Sequence, residues 1–536
     1  MHTNVRPTPP GRMNFKEAKM TKLMSRALAL MLVALMVLSM AVACAQQPDD
    51  GNKPADTTPA GSADTTPAPD GGDTPTDTTP ADTTPAESES PYDENGYLKD
   101  TLDPDLNFGD YKFNMLGWNT SNPDFYVEVD TGDTVSDTIY FRNMAVEDRL
   151  GITISANLIA GDNSNQAPFV EHAMASIMAG GACEYDMIGC YSMCGGTLAT
   201  RNAITDLSAL DHLNFEMPWW SDSLIDMSMI NDKLFFVSGD AANSLIYNLY
   251  FLIYNHTLGT NLGLSDPRPL VKEGTWTLDK MIEMTTNIYT DAGEAGPSVE
   301  DTFGYVSYAQ VHMDCFIAAS GIRMSAPNAD GVIQLTEDFT GEKTHSLITK
   351  LNEWLWTSGD NWYNTSGGYK VITENRALFG GVAGSTIIGL RDKDMSYGIV
   401  PYPKMYAEQE QYMTNLGFAY TNFCIPTSAK DADMSAAVLE AMGSESHRTS
   451  APALFENCMK SRWASDNMDG EMYDIIKGNL YIDTTRIFSS SFTWASSAVA
   501  LFRNSLTGND NNWTSKMKGA SKSINRILEQ ISTSID

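Results

Sequence analysis

The chain has 536 residues and a formal net charge of −33, with 68 acidic side chains against 35 lysines and arginines. This balance argues against nucleic acid or an anionic lipid surface as a partner, because both require basic patches. The length suffices for about three compact units, but two N-terminal segments do not have globular composition.

An export signal is predicted over residues 1–43. Lys22 and Arg26 precede an unbroken apolar run that is slightly short for a membrane-spanning helix. Small residues then lead to Cys44, which is the pattern of a bacterial lipoprotein signal, so we expect Cys44 to be lipidated and to become the mature N-terminus. Ala41 stands where leucine is commoner, and ordinary cleavage or an uncleaved anchor is the alternative.

Residues 44–95 have the composition of a disordered stalk. The sequence Asp-Thr-Thr-Pro-Ala recurs at 56–60, 64–68, 77–81 and 82–86. Such a segment has almost no large apolar side chain to bury, and its prolines and acidic repulsion favour an extended chain. We expect it to hold the rest of the protein away from a membrane.

The body begins with an alternation of strands and helices. Strands are predicted at 110–118, 152–158 and 185–189, with helices between them at 134–150 and 169–178. This order predicts an α/β fold in which a parallel sheet carries helices on both faces. Ligands of such folds bind at the loops that follow the carboxyl ends of the strands.

Later in the body, the predicted strands are 245–254, 377–382, 397–400 and 418–425. A helix follows, with Asp431 placed to cap its start and Gly443 to end it. Thr134 and Gly151 are predicted to cap and end the first helix in the same way. The chain closes with helical periodicity to residue 531.

Six cysteines follow Cys44, namely Cys183, Cys190, Cys194, Cys315, Cys424 and Cys458. They are too few for a disulfide scaffold, and Cys190 and Cys194 lack zinc-site spacing. We predict that they are buried as small apolar side chains, with a disulfide in the exported chain as the alternative.

Catalytic patterns are missing from the sequence. It contains no His-Glu-x-x-His pattern, no Gly-x-Ser-x-Gly turn and no phosphate-binding loop. The carboxylates are too scattered to nominate a glycosidase pair. We therefore predict a protein that is not an enzyme, with no catalytic residue, no metal and no cofactor.

A series of short segments, in this order, resembles the family 1 extracellular solute-binding proteins. These are sugar-binding lipoproteins of ABC importers, with the maltodextrin-binding type as the model. No single segment is specific, but the collinear set spans roughly residues 108–534. The segments are YDMI at 185–188, TDL at 205–207, PWW at 218–220, NDKLF at 231–235, LIYN at 252–255, GTWT at 274–277, GIVPYP at 398–403 and SLTG at 505–508.

The resemblance implies a two-lobe, periplasmic-binding-protein-like α/β fold of type II, with a ligand cleft between lobes that close like a hinge. The N-terminal lobe would comprise 108–239 plus 380–427, and the C-terminal lobe 240–379 plus 428–536. It also implies a monomer that binds a carbohydrate and meets the transmembrane subunits of an ABC permease. The lipid at Cys44 would anchor it at the cell surface, on the outer face of the cytoplasmic membrane.

Three aromatic residues are predicted to contact the sugar, since sugar sites pair aromatic rings with polar groups. Trp118 and Tyr191 follow strands of the N-terminal lobe. Trp494 lies in a Ser-Phe-Thr-Trp-Ala segment that resembles an aromatic cluster of maltodextrin binders. The alternative for each is packing in the core.

Three polar residues complete the predicted ligand-binding set. Asp240 and Asn243 lie where the resemblance places the first crossing between lobes and a carboxylate that binds hydroxyls. Ser385 follows a strand where relatives often carry an aromatic residue. For Asp240 the alternative is a turn or a helix cap.

Two other functions remain open at this point. A surface-anchored carbohydrate-active enzyme would share the anchor and the aromatic cleft. A binding protein for a non-sugar solute, such as a peptide or a polyamine, would share the fold, although a polyamine favours more carboxylates in the cleft than the sequence places there.

Overall fold

The computed structural model describes residues 90–390 and 393–534. The predicted export signal, Cys44 and almost all of the predicted stalk lie outside these residues. Within the described part, no helix combines the length and apolar character needed to cross a membrane.

The described residues form helices and strands in the following order. The strands are β1 (Tyr111–Trp118), β2 (Ile152–Ile159), β3 (Met187–Tyr191), β4 (Tyr250–Asn255), β5 (Phe303–Ser307), β6 (Ser325–Pro327), β7 (Ile333–Leu335), β8 (Asn361–Tyr363), β9 (Ala377–Ala383), β10 (Tyr397–Val400), β11 (Thr414–Asn415), β12 (Thr421–Cys424) and β13 (Leu480–Tyr481). The longer helices are Thr134–Leu150, Gln166–Ile177, Ser192–Thr200, Leu278–Thr285, Val311–Ala319, Glu342–Asn352, Ala432–Arg448, Ala453–Arg462, Asn467–Gly478, Ala498–Thr507 and Trp513–Ser534. Shorter helices lie at Asp222–Ser228, Ser244–Tyr247, His256–Asn261, Arg268–Lys272, Glu337–Thr340, Gly368–Thr373, Gly384–Leu390 and Thr484–Ile487.

Four strands form the first sheet, in the order β12-β3-β1-β2. Strand β1 is parallel to β2 and β3, with Tyr111 opposite Ile152 and Met115 opposite Met187, and β12 is antiparallel to β3. Every residue of β3 is buried, as expected of a strand covered by helices on both faces. The strand–helix order predicted for the start of the body is confirmed.

Five strands form the second sheet, in the order β10-β4-β9-β5-β8. Strand β5 is parallel to β8 and β9, whereas β4 is antiparallel to β9 and β10. The strand predicted at 245–254 begins only at Tyr250, because residues 244–247 form a helical turn in which Asn248 Nδ2 donates to the Ser244 carbonyl at 2.9 Å. The two sheets are the centres of two lobes, called here the first and the second lobe.

Strand pairing places two segments differently from the predicted lobe boundaries. Strands β9 and β10 pair in the second sheet, so residues 380–400 lie in the second lobe and not in the first. Helix Ala432–Arg448 packs on the first lobe, since Ser435 Oγ donates to the Asp186 carbonyl at 2.9 Å and Arg142 Nη1 to Ser446 Oγ at 2.6 Å. Both sheets are apolar, so the pattern of apolar residues did not distinguish between them.

Two of the four predicted helix-end residues, Gly151 and Asp431, are confirmed. Asp133, not Thr134, caps the first helix, because its carboxylate accepts from the amide of Ser136 at 2.9 Å. Gly151 ends that helix in the left-handed conformation, with φ of 63°, as predicted. Asp431 caps helix Ala432–Arg448 by accepting from the amide of Met434 at 2.9 Å.

Gly443 does not end its helix, which continues to Arg448. A Cβ at this position would lie 2.6 Å from Cδ1 of Trp219. Glycine is therefore required here by the close approach of an indole ring, and that reason has no signature in the local sequence.

The six cysteines between Cys183 and Cys458 are all buried with free thiols. The prediction that they serve as small apolar side chains is confirmed.

Candidate functional site

A cavity of about 570 Å³ lies between the two lobes. Tyr191, at the end of β3, lines it from the first lobe, and Tyr250 and Gln310, at one end of β4 and β5, line it from the second. Phe418 and Trp494, which belong to neither sheet, close its sides. The cavity thus lies at the carboxyl end of β3 and β5, where α/β folds bind ligands.

A second cavity, of about 330 Å³, adjoins the first. The loop of residues 118–122 that follows β1 lines it from the first lobe, and Ser385 lines it from the second. The two cavities are called here the cleft, because four residues line both of them, namely Asn163, Tyr191, Asn248 and Ala419.

Trp118 and Tyr191 form a rigid corner of the cleft. Both side chains are buried, and their rings meet edge to face with centroids 5.3 Å apart. The indole Nε1 of Trp118 donates to Thr421 Oγ1 at 2.8 Å. Because that donor is occupied, Trp118 offers a ligand apolar ring surface and no hydrogen bond.

A buried carboxylate holds this corner against the junction of the lobes. Asp124 accepts from the hydroxyl of Thr421 and, at 2.7 Å, from the amide of Ser244, while the amide of Thr421 donates to Ser244 Oγ at 2.9 Å. Burial raises the pKa of Asp124, and the hydrogen bonds from Thr421 and Ser244 oppose that rise. The network joins the end of β1, the start of β12 and the helical turn before β4.

Trp494 is the exposed aromatic side chain of the cleft. It lies in a short 3₁₀ turn, Trp494–Ser496, and 41% of its surface is accessible. The guanidinium of Arg503 lies 5.1 Å from its ring centroid, and Phe418 meets it edge to face at 6.4 Å. These contacts orient the indole while leaving surface for a ligand to cover.

Asp240 and Asn243 lie away from the cleft. Asp240 forms no hydrogen bond with a described residue that lines the cleft. Its carboxylate pairs with His447 Nδ1 at 2.6 Å and lines a separate cavity of about 240 Å³ beside Trp219. Asn243 is buried, and its amide atoms have no hydrogen-bond partner among the described residues. The helical turn of residues 244–247 separates both side chains from the cleft, so their place in the predicted ligand-binding set does not match the geometry.

A buried pair of arginines beside the cleft was not anticipated. Asp314 accepts from Arg486 Nη1 at 2.7 Å and from Arg503 Nε and Nη2 at 2.8 and 2.6 Å. The guanidinium of Arg486 also lies 4.2 Å from the ring centroid of Phe418. The two arginines therefore hold the Phe418 and Trp494 rings, but they lie 172 and 189 residues from Asp314, and no local motif connects them.

Titratable groups around this cluster have well-defined charges near neutral pH. Burial alone would raise the pKa of Asp314, but Arg503 and Arg486 hold it below its usual value. Burial lowers the pKa of His312 to about 3, so this histidine is neutral. Burial also raises the pKa of Tyr250 and of Tyr191, so both phenols remain protonated.

Within residues 90–390 and 393–534, no group of three or more His, Cys, Asp and Glu side chains is placed to hold a metal ion. The cleft is lined by aromatic rings, amides and hydroxyls, with Arg503 in the larger cavity and the exposed Asp162 in the adjoining one.

The chain is similar to known proteins in structure and not in sequence. No family model and no curated protein matches the chain in sequence. Among solved structures, it is similar to the cyclic α-maltosyl-1,6-maltose binding protein from Arthrobacter globiformis, with 14% identity and a TM-score of 0.55 over 78% of this chain and 100% of that one. It is also similar to UgpB from Mycobacterium tuberculosis in complex with glycerophosphocholine, with 16% identity and a TM-score of 0.52 over 78% and 98% of the two chains.

A third similar structure is an ABC substrate-binding protein from Listeria monocytogenes in complex with cycloalternan. The identity is 12% and the TM-score 0.51, over 78% of this chain and 98% of that one. The chain therefore has the two-lobe α/β fold of solute-binding proteins, as the sequence predicted.

Proposed function

We propose that this protein is the extracellular substrate-binding protein of an ABC importer, that it captures an oligosaccharide between its lobes, and that it delivers the sugar to the permease. The observation that carries the proposal is the cleft itself, which combines exposed Trp494 and buried ring surface of Trp118 with amides such as Asn248 and Gln310. Sugars have apolar faces and a rim of hydroxyls, and such a lining is complementary to both.

The similar structures support this choice of ligand class. One of the three is named as a cyclic α-maltosyl-1,6-maltose binding protein, and one is in complex with cycloalternan. The structure in complex with glycerophosphocholine makes a non-sugar solute the second candidate. A polyamine is disfavoured, because the described residues that line the larger cavity include Arg503 and no Asp or Glu.

The proposal further includes binding without chemistry, a monomer, and a lipid on Cys44 that anchors the protein to the outer face of the cytoplasmic membrane. The composition of residues 44–95 supports an extended stalk between anchor and lobes. Lobe closure around the ligand would then present the loaded form to the permease.

Incubation of the purified full-length protein with a panel of oligosaccharides tests the proposal. A ligand that binds only the folded state raises the melting temperature, so we expect stabilisation by at least one oligosaccharide and recovery of that sugar intact by chromatography. Turnover of any glycan would establish the enzyme instead, and stabilisation by glycerophosphodiesters or peptides alone would establish a non-sugar binder.

A further inference from the structure

The larger cavity carries a positive charge in a strongly acidic chain. The whole sequence has a formal net charge of −33, yet the charged side chain that lines this cavity is Arg503, which is only 7% exposed. Carboxylates are acceptors for the hydroxyl groups of a neutral sugar. The described residues that line this cavity include no Asp or Glu.

Arg503 and Arg486 together carry one positive charge more than the carboxylate that they share. Its Nε and Nη2 donate to Asp314, and Arg486 donates to the same carboxylate. One negative charge thus serves two positive charges. Nη1 of Arg503 makes no hydrogen bond to another described residue, and Arg503 lines the cavity.

Two phenol groups belong to the lining of the same cavity. Tyr191 lines it from the first lobe and Tyr250 from the second, together with Arg503. Neither hydroxyl donates to another described residue, and burial keeps both protonated by raising the pKa of each phenol. Two tyrosines and one arginine, all with hydrogen-bond donors, therefore line the same volume.

The other charged groups near the cleft do not cancel this arrangement. Asp162 is exposed and lines the adjoining cavity, not the larger one. Asp124 is buried behind Thr421, where its hydrogen bonds are satisfied. The remaining surface charges are screened over about 10 Å at 0.1 M salt, so the local charge of Arg503 determines what binds beside it.

We propose that the ligand is an acidic saccharide, whose carboxylate or phosphate group accepts hydrogen bonds from Arg503, Tyr191 and Tyr250 in the larger cavity. The inference rests on the proposed function, since it specifies the class of sugar that the cleft captures. Trp494, which stacks against Arg503 on one side, would cover the apolar face of the acidic ring.

Calorimetric titration with matched pairs of ligands tests the inference. Oligogalacturonides and their carboxyl-reduced counterparts differ only in the carboxyl group. Maltose 6′-phosphate and maltose form the corresponding pair for a phosphate group. Hydrogen bonds to a charged group are worth about 10- to 100-fold in affinity, so we expect at least one acidic member to bind 10-fold or more tightly than its neutral partner. Its affinity should fall between 50 and 500 mM salt.

Substitutions locate the acidic group. Tyr191→Phe removes a single hydroxyl and should weaken binding of the acidic ligand about 10-fold, and Arg503→Lys should weaken it further while retaining the charge. Tyr406→Phe, on an exposed tyrosine outside the cavity lining, is the matched control and should leave affinity unchanged. Because Arg503 is buried against Asp314, the affinity of Arg503→Lys is interpreted only if its melting temperature shows a folded protein. Tyr191→Phe retains the packing of the ring and needs no such condition.

Three results would overturn the inference, and they are distinguishable. Equal or tighter binding of the neutral partner contradicts the acidic ligand while leaving the proposed function intact. Tight binding of an acidic sugar that is insensitive to Tyr191→Phe and Arg503→Lys places the acidic group elsewhere. Failure of every acidic and neutral saccharide to bind contradicts both the inference and the proposed function.

Discussion

Replacing Trp494 with alanine should weaken ligand binding much more than it destabilises the fold. The exposed 41% of this side chain amounts to about 100 Å² of largely apolar surface. Complete coverage by a sugar ring would be worth about 2.5 kcal/mol at 25 cal/mol per Å². Coverage of half that surface would be worth about 1.3 kcal/mol, so the dissociation constant should rise about 10- to 60-fold.

The cost of this substitution to folding is smaller. The indole contacts Arg503 and Phe418, and a cation–π contact and an aromatic pair contribute about 0.5 to 1.5 kcal/mol each. We expect the free energy of unfolding to fall by about 1 to 2 kcal/mol, which leaves the protein folded at assay temperature.

Calorimetry on the variant, with urea unfolding in parallel, measures both quantities. Trp356→Ala is the matched control, because Trp356 is 39% exposed but donates its indole N–H to the Leu506 carbonyl and lines neither cavity of the cleft. An affinity unchanged in Trp494→Ala, or reduced equally in Trp356→Ala, would refute the assignment of Trp494 to the ligand.

Three further predictions concern stability. Burial raises the pKa of Glu440 to about 7, so its contribution to stability is fully present below pH 4.5 and is lost as the pH rises through 7. At 1.36 kcal/mol per unit of pKa shift, the free energy of unfolding should fall by about 3 kcal/mol. Urea titrations at pH 4.5 and 8.5 measure this difference, and Glu440→Gln should remove it. Gly443→Ala should destabilise by about 1 to 3 kcal/mol, because its Cβ would lie 2.6 Å from Trp219, whereas Gly519→Ala, in a helix with no atom within 4 Å of the new Cβ, should stabilise by about 0.5 to 1 kcal/mol. Arg142→Met should destabilise the protein by about 3 kcal/mol or more, since it removes a buried donor from the Phe125 carbonyl and from Ser446 Oγ. A wild-type melting temperature in Arg142→Met would contradict the buried hydrogen bonds described for this side chain. Equal stability changes in the two glycine variants would contradict the packing described for Gly443.

Sequence patterns located the part of the cleft that depends on local structure. Trp118 and Tyr191 each follow a strand of a parallel sheet, and the end of such a strand is readable from an apolar run and the loop after it. Ser385 follows β9 in the same way. For Trp118 and Tyr191, the position along a strand was enough to predict a position at the cleft, whereas Ser385 was selected through the family resemblance.

Residues whose position depends on tertiary contacts could not be found in this way. Asp240 was expected at the ligand because the chain crosses between lobes nearby, but its carboxylate pairs with His447 and lines a separate cavity. The pairing of Arg503 with Asp314 spans 189 residues. Strands β9 and β10 are apolar enough for either sheet, and their partner β4 decides which one they join.

The same distinction separates what the fold implies from what the side chains imply. At 12–16% identity, similarity to known solute-binding proteins locates a cleft between two lobes, because backbone topology survives when side chains change. The lining of that cleft is set by side chains of this chain, and Arg503, the cation among its described lining residues, shares Asp314 with Arg486. If a neutral oligosaccharide were the ligand, Arg503 and Arg486 would share the single carboxylate of Asp314, and one positive charge would stay without a counter-ion, which is costly in a buried site. An acidic sugar supplies the missing charge, so the identity of the ligand should follow from this cluster and not from the ligands of structures that share the fold.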